Sequence, residues 1–307
     1  MIKAKLLSSE DLYFKPIDLV KIFGIEAKAT DFSNLLGKNK CEEIFYYTSS
    51  CDINNVFCIF KDDKKGVELI QLKKNDSHAG IRPVILYDKI DFSKNKLDDN
   101  KFNQNFYRVE YGEYPQDSVS IRIEKELEEN YKYNILSKTG RTYTINDYRI
   151  TLHGLETSVY KQLDEYLYNG KRYVRVEANP YSSFGSHFIT LSNGKRYESG
   201  EYSWIEVKPI TWFLDERKRL LFSEKILISG IPFAKKSLLS EDIKIVDYES
   251  SMVNSFLNDK FIVEISKRPR IENTVIKDKT IDSIFEEAIT RMNKITSDYT
   301  KVKVKKK

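Results

Sequence analysis

Ser203 to Phe233, SWIEVKPITWFLDERKRLLFSEKILISGIPF, holds both tryptophans of the chain and its densest apolar patterning, so it dictates what kind of core the remainder must build. Trp204 to Val207 sets large and β-branched residues around one glutamate, and Ile210 to Leu214 is almost wholly apolar. Both runs predict strands with at least one buried face. Asp215 to Lys218 then interposes four charged residues before Leu220–Phe222 and Ile226–Ile228 resume the apolar pattern, which predicts a hairpin around a charged turn. Gly230 and Pro232 close the unit, one by its conformational freedom and the other by its missing ladder donor. Trp204 and Trp212 are expected in the core, where large aromatic side chains contribute most by burial, with a ligand groove as the alternative.

Upstream, Leu12, Ile17, Leu19, Val20, Ile22 and Phe23 mix helical spacing with a start at Pro16, and Gly24 is the expected stop. A second short helix is predicted from Asp31 to Leu36, ended by Gly37. The period then changes. Glu43–Ser49, Asn55–Phe60, Val67–Leu72 and Gly80–Tyr87 read as strands, with a polar turn at Asp62–Gly66. Asp91 to Asn105, DFSKNKLDDNKFNQN, loses most apolar content and reads as a linker. Phe106–Tyr111 is a predicted strand and Gly112–Gln116 a turn. Val119–Tyr133 is a predicted amphipathic helix with Ile123, Leu127 and Tyr131 on one stripe. Two Asn-Gly pairs, Asn169-Gly170 and Asn193-Gly194, mark hairpins, because both residues accept positive φ. Ser250–Phe261 predicts a helix capped by Ser250 or Ser251. A final helix over about Thr280–Thr296 aligns Ile281, Ile284, Phe285, Ala288, Met292 and Ile295. The domain reading is therefore an N-terminal helical and β unit at 1–90, a linker at 91–105, a main domain at 106–265, an amphipathic helix within 266–300 and a basic tail at 301–307. Whether 1–90 and 106–265 form one fold or two is left open.

Composition narrows the function classes. The chain has 307 residues, 40% hydrophobic and 32% charged, enough to bury a core without covalent staples. No apolar run reaches the roughly 20 residues of a membrane span, and the first residues lack the apolar block of a secretory signal, so a cytoplasmic protein without membrane contact is expected. Cys41, Cys51 and Cys58 stand ten and seven residues apart without a CxxC pair, and His78, His153 and His187 are scattered. Reduced thiols are expected, with no metal site and no cofactor. The net charge of +5 (51 basic against 46 acidic residues) resides in the tail, whose five lysines, once set aside, leave 46 of each sign. A balanced body argues against a dedicated nucleic-acid-binding fold, although Lys301, Lys303, Lys305, Lys306 and Lys307 offer a direct phosphate contact.

The segments YYTSS (Tyr46–Ser50), GIRPVI (Gly80–Ile85), EYGEYPQ (Glu110–Gln116), WIEVKPITW (Trp204–Trp212) and SFLNDKF (Ser255–Phe261) resemble a group of bacterial and phage proteins of unassigned function. Their domains are similar to the C-type-lectin-like fold found in formylglycine-generating enzymes and in the variable proteins of diversity-generating retroelements. The resemblance spans most of residues 41–265 and implies an α+β fold, a loop-rich domain with small antiparallel sheets and peripheral helices. In those relatives the first two segments usually end the domain, whereas here they come first, through a permuted order or a partial N-terminal unit. Formylglycine-generating enzymes work through late cysteines, and this chain has none after Cys58. That oxidase activity is therefore not expected.

Three function classes follow. The first, and the one the sequence favours, is a non-catalytic macromolecule-binding protein of phage or prophage kind, acting by protein–protein contact as an inhibitor of a bacterial defence complex of the anti-CRISPR type. Its twenty tyrosines and seventeen phenylalanines supply interface area at small rotamer cost. The predicted contact residues are Tyr181 and Phe184 in one loop and Arg217, Lys218 and Arg219 in the charged turn. The second is an enzyme, using His187 with a neighbouring serine or Glu110 with Glu113 as an acid–base pair. The third is nucleic-acid binding through the lysine tail.

Overall fold

Aromatic and β-branched residues make up most of 202–215, and they form the longest strand of the computed structural model. It describes residues 2–37, 44–62, 64–74, 76–93, 95–97, 105–147, 151–152, 155–156, 159–179, 188–234 and 246–266. The strands before the third helix are β1 (Ile2–Lys5), β2 (Phe45–Cys51), β3 (Asn55–Asp62), β4 (Gly66–Lys73), β5 (Val84–Tyr87) and β6 (Phe106–Ser118). After it come β7 (Ser137–Asp147), β8 (Thr151–Leu152), β9 (Leu155–Glu156), β10 (Val159–Tyr168) and β11 (Lys171–Glu177). The last are β12 (Phe188–Thr190), β13 (Arg196–Glu198), β14 (Tyr202–Asp215) and β15 (Leu220–Ser223). The helices are α1 (Asp18–Phe23), α2 (Asp31–Leu35), α3 (Ile121–Lys132), α4 (Met252–Phe256) and α5 (Ile262–Ser266), with a π-helical turn, Leu257–Phe261, joining the last two.

The result is an α+β fold made mostly of antiparallel sheet. Eight strands form the main sheet in the order β1-β5-β15-β14-β11-β10-β7, with β6 on β14, while β2-β3-β4 is a separate three-stranded sheet and β12-β13 and β8-β9 are two-stranded. The main sheet is thus larger than the small sheets expected. Strands from both sides of residues 91–105 belong to it, so the parts numbered 1–90 and 106–265 share one sheet and one core. Within 91–105, Phe92 is buried against Tyr87 and Tyr111, and Lys96 bridges to Val109, so the described residues 91–93 and 95–97 are tied to the core.

Both tryptophans are core residues, Trp204 at 1% and Trp212 at 0% exposure. Each indole N–H is satisfied, by Glu128 Oε2 at 3.0 Å and by the Tyr111 carbonyl at 2.7 Å. α3 lies over Trp204: Leu127 with Ile123 and Tyr131 packs on Tyr166 and Tyr173, the stripe read from the sequence. Ser120 caps this helix by accepting the Ile123 amide.

The sheet also curls. Across four interstrand gaps of ~4.8 Å, β6 and β7 would stand about 19 Å apart if flat. Instead the rings of Tyr114 on β6 and Tyr143 on β7 lie 5.4 Å apart, and Arg141 Nη1 is 3.0 Å from Glu113 Oε2. The helical segment 252–266 fills the seam. Phe261 meets the Tyr114 ring, Glu264 Oε1 accepts the Thr144 amide of β7 at 2.8 Å, and Ile265 lies against Gly112 of β6.

Three local expectations change. Gly112–Gln116 is part of a continuous strand, because β14 pairs with β6 along its length and absorbs the irregularity at two register shifts. Gly80–Tyr87 is strand only from Val84, and Ile226–Ile228 makes isolated bridges to Ala29 and Ile81. No helix among the described residues is long and apolar enough to cross a membrane.

Candidate functional site

The polar geometry concentrates where β14 forks. One edge of β14 carries β6 from Ile205 to Asp215; the other carries β11 at Tyr202–Glu206 and β15 at Trp212–Asp215, leaving Val207–Thr211 between them without a strand partner on that side. Pro209, which has no N–H, sits in this interval, as a proline within a sheet must. Opposite it, Gln116 is the extra residue of a bulge in β6, and its Nε2 donates to the carbonyls of Lys208 at 3.1 Å and Pro209 at 2.7 Å. Bulges of this kind re-aim neighbouring side chains.

A cleft of about 300 Å³ opens here, bordered by Glu110, Asp117, Lys208, Glu224, Lys225 and Leu227 among others. Lys208 and Lys225 both pair with Asp117, at 3.1 and 3.3 Å, and Lys208 also reaches Glu206 at 3.5 Å. Burial alone would push the Asp117 carboxyl up, but the two ammonium groups more than offset it and hold it below the ordinary aspartate range. Glu224 is paired with Arg108.

A second polar cluster occupies the curl. Glu113 accepts from Arg172 and Arg141, while fully buried Glu165 accepts from the Tyr143 hydroxyl at 2.6 Å and Thr139 Oγ1 at 2.7 Å. The hydrogen bond from Arg172, outweighing the effect of burial, keeps the Glu113 carboxyl below its usual range, and burial beside Glu165 drives the Tyr143 phenol far up. Glu113 is therefore held as a clamped anion while Glu110 borders the cleft. The two glutamates serve different neighbours.

The charged turn is built as the sequence suggests. Buried Asp215 accepts the backbone amides of Arg217 at 3.0 Å and Lys218 at 3.2 Å through Oδ1, and Arg219 takes a φ of 49°. All of Glu216–Arg219 is exposed. Arg217 is drawn back, its Nη2 3.4 Å from Asp18 and its guanidinium 5.0 Å over the Phe106 ring, so Lys218 and Arg219 form the outward tip. Tyr181, Phe184, His153, His187, Cys41 and Lys301, Lys303, Lys305, Lys306 and Lys307 lie outside the described residues. Cys51 and Cys58 are free thiols, and burial raises Cys58 well above the ordinary thiol range.

The fork and its bulge have only one trace in the sequence, a proline inside an otherwise central strand. Lys74 has none: it is fully buried, its Nζ donating to the carbonyls of Val246 at 2.6 Å and Ile53 at 3.2 Å. The class defined by fold and polar geometry is an antiparallel α+β protein with a cationic hairpin tip and a mixed-charge cleft. Comparison with protein-family models, curated proteins and solved structures finds no match.

Proposed function

We propose that this chain is a non-catalytic binding protein that meets an acidic macromolecular surface through the tip of the β14–β15 hairpin. The observation that carries this reading is the tip itself, where a buried carboxylate fixes the turn and Lys218 and Arg219 are presented outward. A rigid cationic loop on a well-packed hairpin loses little freedom on binding, so its charge is available for recognition. The partner we propose is a bacterial defence complex of the CRISPR type, inhibited by contact. The sequence resemblance to phage proteins and the charge complementarity of a nucleoprotein both support that choice.

The test is phage plating on a bacterium with active CRISPR interference. Expression of the chain is expected to raise plating at least tenfold, and the double variant Lys218→Glu/Arg219→Glu should abolish the rise while leaving the thermal midpoint unchanged. No rise with the native chain sinks the defence role. A pull-down from lysate without a stoichiometric partner sinks the binding reading.

The finer fold proposal, a C-type-lectin-like domain, draws support from the adjacency of its motif segments. EYGEYPQ on β6 pairs with WIEVKPITW on β14 through Glu113 and Pro209, and YYTSS bridges GIRPVI through Tyr46 and Gly80. An experimental structure that cannot be superposed on a lectin-like domain would remove it.

A further inference from the structure

Tyr13 and Phe14 follow one another in a π-helical turn, Glu10–Phe14, and both rings stand in solvent, Phe14 at 62% exposure and Tyr13 at 40%. Their centroids are 5.5 Å apart and their planes nearly perpendicular, at 89°. Leu12, one residue earlier, is buried in the cluster that holds Phe213, Leu220 and Phe222, so the turn is anchored on the core beneath the β14–β15 hairpin. Charged residues surround the two rings: Glu10 is bridged to Lys15 at 2.8 Å, and Asp11 Oδ2 accepts from the Ser8 hydroxyl at 2.8 Å. The centre of a protein–protein interface is depleted of charge, so two rings among ions do not make one. Their open faces suit another flat ring with polar edges.

The cationic tip is close to them. Arg217 Nη2 reaches Asp18 at 3.4 Å, four residues after Phe14, and four residues of chain span at most about 14 Å. Behind the tip, the Tyr87 amide bonds the Arg219 carbonyl at 3.2 Å, which sets exposed Lys89 nearby. Glu216 is bridged to Lys96 at 2.8 Å and Asp18 to Arg217, whereas Lys89, Lys218 and Arg219 make no salt bridge among the described residues. Asp88 is the exposed acid beside Arg219.

We infer that the acidic surface met by the tip is single-stranded nucleic acid, its phosphates on Lys218 and Arg219 and an unpaired base stacked on Phe14 and Tyr13. This inference rests on the tip reading and names the chemistry of its partner. Every base has a face that stacks on an aromatic ring, and only an unpaired base offers that face freely, so the site would take a single strand of any sequence in preference to a duplex. The balanced charge of the body excludes a broad basic face, not a short strand held at two phosphates and one base.

The probe is a fluorescein-labelled oligothymidine of about twelve nucleotides, titrated by anisotropy at low salt. The full chain is used with Lys301, Lys303, Lys305, Lys306 and Lys307 each replaced by glutamine, so that the tail cannot carry the signal. Saturable binding is expected, with log K falling against log salt at a slope of about −1.4 for two phosphates. Phe14→Ala, which removes an exposed ring, should weaken binding at least tenfold at unchanged slope. Lys218→Glu/Arg219→Glu should weaken it at least tenfold and flatten the slope, and a duplex of the same length should bind at least tenfold more weakly. Absence of saturable binding, undiminished affinity in Phe14→Ala or equal affinity for the duplex overturns the inference. A lysate partner captured through the tip and retained after nuclease treatment, by a chain that does not bind the oligonucleotide, would mark an acidic protein as the partner; the tip reading then stands and this one falls. Oligonucleotide binding that survives Lys218→Glu/Arg219→Glu overturns it too, whatever the plating assay returns for the tip.

Discussion

Gly112 and Glu113 occupy adjacent positions on β6 and illustrate two ways a single side chain is constrained. Gly112 has a φ of +68°, and a Cβ there would lie 2.9 Å from the Ile265 Cβ and 3.1 Å from its carbonyl oxygen. Gly140 has a similar φ of +77° with nothing within 4 Å of the same position. Gly140→Ala should therefore cost only backbone strain, about 1 kcal/mol, and Gly112→Ala about 1–3 kcal/mol more through overpacking. Urea denaturation of both variants checks this, and equal costs would contradict the close approach. For Glu113 the relevant variable is pH. Its pKa in the folded state lies below the ordinary 4.5, chiefly through Arg172, so its stabilisation is fully present above that value and is lost as pH falls through the depressed one. Glu113→Gln is expected to cost about 2–3 kcal/mol at pH 7 and progressively less below about pH 4, read from urea titrations at several pH values. A pH-independent deficit would contradict the ionic account.

At the scale of elements, the helical segment 252–266 matters more for the edges it covers than for its own length. Asn258 bonds both the amide and the carbonyl of Ala4 and also the Asn254 carbonyl. Asn258→Ala should cost about 2 kcal/mol, seen as a lowered urea midpoint with accelerated amide exchange at Ala4; unchanged exchange there would deny the cap. Elements of this kind divide by how local their causes are. The Asn169-Gly170 turn, with φ of 49° and 74°, and α3 with its serine cap are legible because a few neighbouring residues determine them. The charged turn before β15 is legible for the same reason, and so is the tip of the candidate site. The fork in β14 is not, since it depends on which strands pair on each side of Pro209, and the sequence at Gly112–Gln116 reads as a turn until a fourteen-residue partner straightens it. The four donors that clamp Asp117 and Glu113 from distant parts of the chain (Lys208, Lys225, Arg141 and Arg172) leave no spacing pattern to find.

For the whole molecule, one sheet spanning both halves predicts cooperative behaviour. A fragment ending at residue 97 would contain β1 and β5 but lack β15, against which β5 pairs at Val84–Leu86. We expect that fragment to be unfolded by circular dichroism and the full chain to lose near- and far-ultraviolet signals together; a native-like spectrum from the fragment would contradict a shared core.

The bond between Ala4 and Asn258 joins residues 254 positions apart. A ribosome making about 5–20 residues each second delivers these two partners at least ten seconds apart. Until the later one emerges, the first strand waits with its amide bare, and the growing polypeptide depends on chaperones or on its own slow collapse to keep that edge from finding a neighbour's.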